Sequence, residues 1–263
     1  MEKLIYAVAN HADYFLLVFL RISALIFSSP IFGRKNLPNV VKIMLCVVLT
    51  GVLYSTWESI PVLQYDGTLD YMLLCVKELL FGMVLGYVTT LFFSLTQTAG
   101  QAIDMQMGFG MVNVLDAQSN LSVPMMGNFL YIVLLASFFA VDAHQQLVYI
   151  LLSTFRNIPA GEVSLNPMLG YSALEVFALS FGLVINIAMP VVAAGLIAEV
   201  FMGFVVKTTP QLNIFVVGIP LKIILGFVVL LIILPVYVNF TQDIFREMFN
   251  SVDYMIRGLA GAA

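Results

Sequence analysis

Apolar residues fill this chain in long runs, and polar residues interrupt them at only a few places. The runs are Ala12 to Phe32, Val40 to Tyr54, Tyr71 to Gln97, Pro124 to Phe155, Val176 to Val206 and Ile214 to Phe240. A helix needs about 20 apolar residues to cross about 30 Å of hydrocarbon, so the pattern predicts about six long apolar helices. Asn10 and Asp13 stand where a cap and first-turn acid belong before the first run. Ser172 and Glu175 have capping-box spacing before the fifth. Pro190 predicts a kink in the fifth run, and Pro220 an irregular start to the sixth. After Phe240, the tail from Thr241 to Arg257 repeats Phe245, Met248, Phe249, Val252, Met255 and Ile256 along one face. That is an amphipathic helix for a membrane surface or a partner, with Asp253 and Arg257 as an i,i+4 pair.

One stretch breaks the pattern. Between Gly100 and Met126, Gly100, Gly108 and Gly110 loosen the backbone and Pro124 closes the segment. Asp104, Asp116, Gln101, Gln106, Gln118, Asn113 and Asn120 add polarity beside Met105, Met107, Phe109, Met111, Val112, Val114, Leu115, Met125 and Met126. Irregular backbone at membrane depth must be held by protein or line a cavity, because lipid offers its N–H and C=O groups no partner. Methionine is deformable, which suits a contact that seals and reopens as well as it suits ordinary core filling.

Composition makes the membrane assignment firm. The chain is 61% hydrophobic and 10% charged, with mean hydropathy +1.02, whereas soluble domains carry about 25% charged residues. No basic tract points to nucleic acid. Cys46 and Cys75 sit inside apolar runs as small core residues. No Cys/His cluster has metal spacing, and nothing calls for a cofactor. No cleavable signal peptide is expected, since the first apolar run leads into Pro30 to Arg34. Asp104, Asp116, Asp142 and His144 are available to an intramembrane enzyme, but no motif gathers them. The chain reads as a single membrane-embedded unit and not as an enzyme.

Charges inside the runs are costly and should face protein or water. They are Arg21, Lys77, Glu78, Glu199 and Lys222. Arg21 is read either as half of an interhelical pair, as a snorkelling side chain, or as a charge lining a pathway. Adjacent Lys77 and Glu78 do not face each other on a helix, so each should meet a different element. Gly82 and Gly86 form a GxxxG that permits close helix contact. Asp142, Gln145, Gln146 and Tyr149 recur at i, i+3, i+4 and i+7, a polar stripe for another helix or an aqueous passage. The loop from Gly33 to Pro38, extended by Lys42, is the clearest basic loop and belongs in the cytoplasm. Counting six crossings from it puts both termini outside, with Arg246 and Arg257 against the charge rule. This many mid-run charges imply helix faces that touch protein partners.

Three motifs carry a resemblance: GQAIDMQMGFGMVNVLDAQSN from Gly100, FFAVDAHQQL from Phe138, and TTPQLNIFVVGIPLKIILG from Thr208. Together, in order and spacing across nearly the whole chain, they resemble the FliR family of the flagellar type III export gate. The resemblance implies one copy in a pore complex with FliP and FliQ subunits, near FlhB and other export components. Unfolded flagellar export substrates would pass through it. It implies a FliP-like portion, 1–171, and a FliQ-like helical hairpin, 172–263. A plug loop would fall near 105–122, on Met105, Met107, Gly108, Phe109, Gly110, Met111, Val112, Asn113, Val114, Leu115 and Asp116. Arg21, Lys77, Glu78, Asp142, Gln145, Glu199 and Lys222 would face other helices or partners, and Lys207, Pro210, Gln211 and Asn213 would form a cytoplasmic turn. The family implies residence in the bacterial inner membrane at the flagellar basal body, in contact with lipid and raised toward the periplasm when assembled. The rival reading is a secondary transporter of a small solute, with Pro190, Pro220, Glu199 and Lys222 as its broken helices and midplane charges. The absence of an internal repeat and the short chain speak against it.

Overall fold

The computed structural model describes residues 11–57, 61, 63, 65–109, 124–164, 168–209 and 214–259. All regular structure among them is helical. In chain order the helices are α1 (Ala12–Ser28), α2 (Asn39–Thr56), α3 (Thr68–Met107), α4 (Met125–Ala140), α5 (Ala143–Asn157), α6 (Met168–Thr208) and α7 (Ile214–Leu259). Four of these are long and apolar enough to cross a membrane, five if α4 and α5 count as one interrupted span. The first apolar run yields only the 17 residues of α1, because Ser29 caps it in extended conformation and Pro30 follows.

In two places the helices depart from the apolar runs. The run after Pro124 is not one helix: it breaks at Val141 and Asp142, where Asp142 takes φ 55° in the left-handed region. Conversely, the sixth run and the tail are a single helix of 46 residues, α7, which passes through Pro220, Pro235 and Thr241. Thr241 does not end it, because its hydroxyl bonds back to the Val238 carbonyl at 2.7 Å while the backbone ladder continues. Likewise α6 continues through Pro190.

The chain divides into two compact units. The first takes the described residues up to Leu91, from Asp142 to Phe177, and from Glu247 on. Its core is built on α1, whose Tyr14, Leu17, Val18, Ile22, Leu25 and Ile26 are all buried. Gly82 and Gly86 of α3 press against this helix. A Cβ on Gly82 would lie 2.3 Å from the Arg21 carbonyl oxygen, and one on Gly86 would lie 1.7 Å from Ser28 Oγ. Approach this close, to the Arg21 backbone and to the Ser28 side chain, leaves no room for a side chain on either glycine, which is the use of small residues between membrane helices. An aromatic cluster closes one end, with Tyr14 5.4 Å from Trp57 and Trp57 6.3 Å from Phe155 between ring centres.

The second unit takes Phe92 to Val141 and Ala178 to Arg246. Here the end of α3 packs on α4, with Phe93 edge-on to Phe138 at 5.4 Å. Tyr237 of α7 donates its hydroxyl to the Leu130 carbonyl at 3.1 Å, so the buried phenol is satisfied.

Candidate functional site

The end of α3 is where the Gly- and Met-rich segment begins. Gly108 follows the helix with φ 85°, a conformation that L side chains rarely adopt, and so turns the chain off its axis. Met105 is 79% exposed, whereas Met107 is buried. The Phe109 ring stands edge-on to Phe227 of α7, 6.0 Å between centres. The remaining expected plug residues, Gly110, Met111, Val112, Asn113, Val114, Leu115 and Asp116, lie outside the described residues.

Both stems of the segment are tied together. Asp104 accepts the Met126 backbone N–H at 3.1 and 3.2 Å, through its two carboxylate oxygens. It thereby caps the N-terminus of α4, whose first N–H groups have no intrahelical partner. A Cβ on Gly100 would meet the Gly127 Cα at 2.1 Å, so α3 and α4 touch backbone to backbone here. In the sequence Asp104 reads as polarity within the segment and as an acid that no motif gathers, not as a cap. A cap supplied from 22 residues away carries no local signature.

A second constellation surrounds Arg21, which is fully buried in α1. Its Nε donates to Glu78 Oε2 at 2.5 Å and its Nη2 to Glu78 Oε1 at 3.0 Å, a bidentate pair with a carboxylate that is also fully buried. The third nitrogen, Nη1, donates to the Ile158 carbonyl at 3.0 Å and to Thr154 Oγ1 at 3.3 Å. The Gly161 N–H donates to Glu78 Oε1 at 2.8 Å. The guanidinium lies between the faces of Phe81 and Phe155, 4.3 Å from each ring centre. Thr154, Ile158, Gly161 and the two phenylalanines carried no chemical signal in the sequence. They matter only because the fold brings them to Arg21.

The other charged candidates are scattered. Lys77 is half-buried with no ion-pair partner among the described residues. Lys222 of α7 pairs with Glu199 of α6. Asp142, at the N-terminus of α5, accepts from Gln145 Nε2 at 3.0 Å, so these two members of the expected stripe bond to each other within one turn. Lys207 is exposed near the end of α6, while Pro210, Gln211 and Asn213 lie outside the described residues. Among the described residues, no group of His, Cys, Asp or Glu could hold a metal ion. What these arrangements offer is fixed charge pairs and a hinged helix end.

Comparison with known proteins matches residues 12–248 to the family described as bacterial export proteins, family 1. The flagellar biosynthetic protein FliR of Bacillus subtilis is 36% identical over 234 residues, covering 88% of this chain and 90% of its own. That of Escherichia coli is 28% identical, covering 88% of each chain. That of Aquifex aeolicus is 26% identical, covering 92% of this chain and 93% of its own.

Proposed function

The chain belongs to the bacterial export proteins, family 1, and from that premise we propose how it acts in the flagellar export apparatus. It is a membrane protein and a component of export machinery, from a family of export proteins and not of enzymes. In our reading it is present as one copy in a pore complex with FliP and FliQ, beside FlhB, in the inner membrane at the basal body. Residues 1–171 act as the FliP-like portion and 172–263 as the FliQ-like hairpin. The segment that starts at Met105 helps to close the pore until an unfolded export substrate displaces it.

The observation that carries this reading is the end of α3. A long apolar helix stops at a glycine in the left-handed region, its last turn exposes Met105 while burying Met107, and Asp104 ties the stem to the far end of the same segment. Where it lies at hydrocarbon depth, a chain leaving a membrane helix in this way needs protein around it. The thioether of Met105 can seal against varied surfaces. Deleting Met107 to Asn113 tests it: ion leak through the assembled complex should rise, while assembly is retained. Unchanged leak would remove the sealing role.

A further inference from the structure

Two glycines of the α6–α7 hairpin accept side chains from the end of α3. A Cβ on Gly195 of α6 would stand 2.4 Å from Gln106 Cγ and 2.9 Å from Gln106 Nε2. A Cβ on Gly226 of α7 would stand 2.5 Å from Met107 Cε, 2.6 Å from its Cγ and 2.9 Å from its Sδ. All are closer than real Cβ contacts come, so consecutive residues of α3 occupy space that only glycine leaves free. Phe109 continues the contact onto Phe227, the neighbour of Gly226 in α7. Two other glycines of the same hairpin, Gly182 and Gly203, receive nothing. Around Gly182 and Gly203 a Cβ would meet no atom within 4 Å.

The dock is also imperfect. Gln106 Nε2 is buried with no hydrogen-bond partner among the described residues. Buried donors are nearly always satisfied, and an exception in a well-packed contact calls for an explanation. Among the described residues the Gln106 contact with Gly195 thus holds by shape and not through its amide.

We propose that Gly195 and Gly226 are sockets that latch the end of α3 onto the hairpin, so that the hairpin sets the position of Met105 to Phe109. The two glycines are positioning residues: they act through Gln106 and Met107. This rests on the reading of that segment as the pore closure. It extends that reading by naming what holds the closure in place and where a displacement of the hairpin would be felt.

The test is a size swap in the complex assembled with its partner subunits. Assembly is followed by native mass spectrometry and closure by ion conductance in planar bilayers. Gly226→Val and Met107→Ala should each raise leak, one by expelling the methionine and the other by emptying the socket. Combined, they exchange bulk across the contact and should return leak to the wild-type level, a non-additivity expected of residues in contact and not of distant, independent sites. Gly195→Leu with Gln106→Ala should behave in the same way. Gly182→Val and Gly203→Leu, where their complexes assemble, should leave conductance unchanged. If the larger substitutions prevent assembly, Gly195→Ala and Gly226→Ala are judged by the same criterion. The proposal is overturned if assembled glycine variants seal like wild type, or if they leak and the partner substitution brings no recovery. The deletion of Met107 to Asn113, measured alongside, separates the two levels. If the deletion leaks and the glycine variants do not, only the sockets fail. If the deletion also seals, the sealing role fails and takes the sockets with it.

Discussion

At the scale of single residues, the Arg21–Glu78 pair shows how a charge is kept inside an apolar helix. Removing two ions from water is expensive, and their attraction offsets this only when the remaining donors and acceptors are satisfied. Here they are: each nitrogen of the guanidinium has an acceptor, and two aromatic faces cover the plane. Breaking the pair should therefore cost far more than exchanging it. Glu78→Ala leaves an uncompensated buried cation and is expected to destabilise by about 3–5 kcal/mol. Arg21→Lys should also destabilise, since an ammonium offers neither the fork nor the flat face. The double variant Arg21→Met, Glu78→Leu should be milder than Glu78→Ala alone. Thermal unfolding of the detergent-extracted complex, followed by circular dichroism, reads all three; a double variant as destabilised as Glu78→Ala would argue against the network. Some of this was legible in the sequence. Helix geometry alone separates Lys77 from Glu78, and an arginine amid Leu, Phe and Ile demands a partner. The choice of Glu78 was not legible, because 57 residues lie between the two and only packing selects among the charges available.

At the scale of elements, the long apolar runs were readable because membrane helices need little more than length and hydropathy. Their interruptions and continuations were not. Nothing in Ala140-Val141-Asp142-Ala143 announces a break, as there is neither glycine nor proline. The only hint is that aspartate tolerates the left-handed region better than most residues. Thr241 and Asn239 look polar enough in sequence to end α7, yet a hydroxyl that bonds its own helix lets the helix continue. The glycines at 195 and 226 look no different in sequence from those at 182 and 203, because the distinction lies in what faces them. The break itself can be probed. Asp142→Gly should be neutral to slightly stabilising, since glycine takes a positive φ without strain. Asp142→Val should destabilise by about 1–2 kcal/mol, the cost of the left-handed region for an L side chain. Equal stability of the glycine and valine variants in the same unfolding assay would show that the left-handed turn does not persist in solution.

At the scale of the whole molecule, the three longest helices outrun the bilayer. In the most apolar stretch of α7 only 17% is buried, and in that of α6 only 28%. The helices α3, α6 and α7 have 40, 41 and 46 residues. At 1.5 Å per residue each follows a path of roughly 60–70 Å, about twice the hydrocarbon thickness. Part of each must lie beyond the bilayer core or against protein. The Lys222–Glu199 pair makes the same demand, since its side chains remain 20% and 44% exposed on otherwise apolar helices. A half-exposed ion pair is poorly placed in lipid and well placed against a polar partner surface or water. The expectation is that the chain is stable in defined form only within its complex. Native mass spectrometry of the detergent-extracted protein, produced alone and then with FliP and FliQ, decides this. One copy in a much larger assembly, present only on co-production, fits a gate subunit whose apolar faces are covered by neighbours. A discrete monomer or small homo-oligomer under both conditions would mean that those faces are content in lipid. Solute-dependent uptake by the protein alone would then become the assay to run.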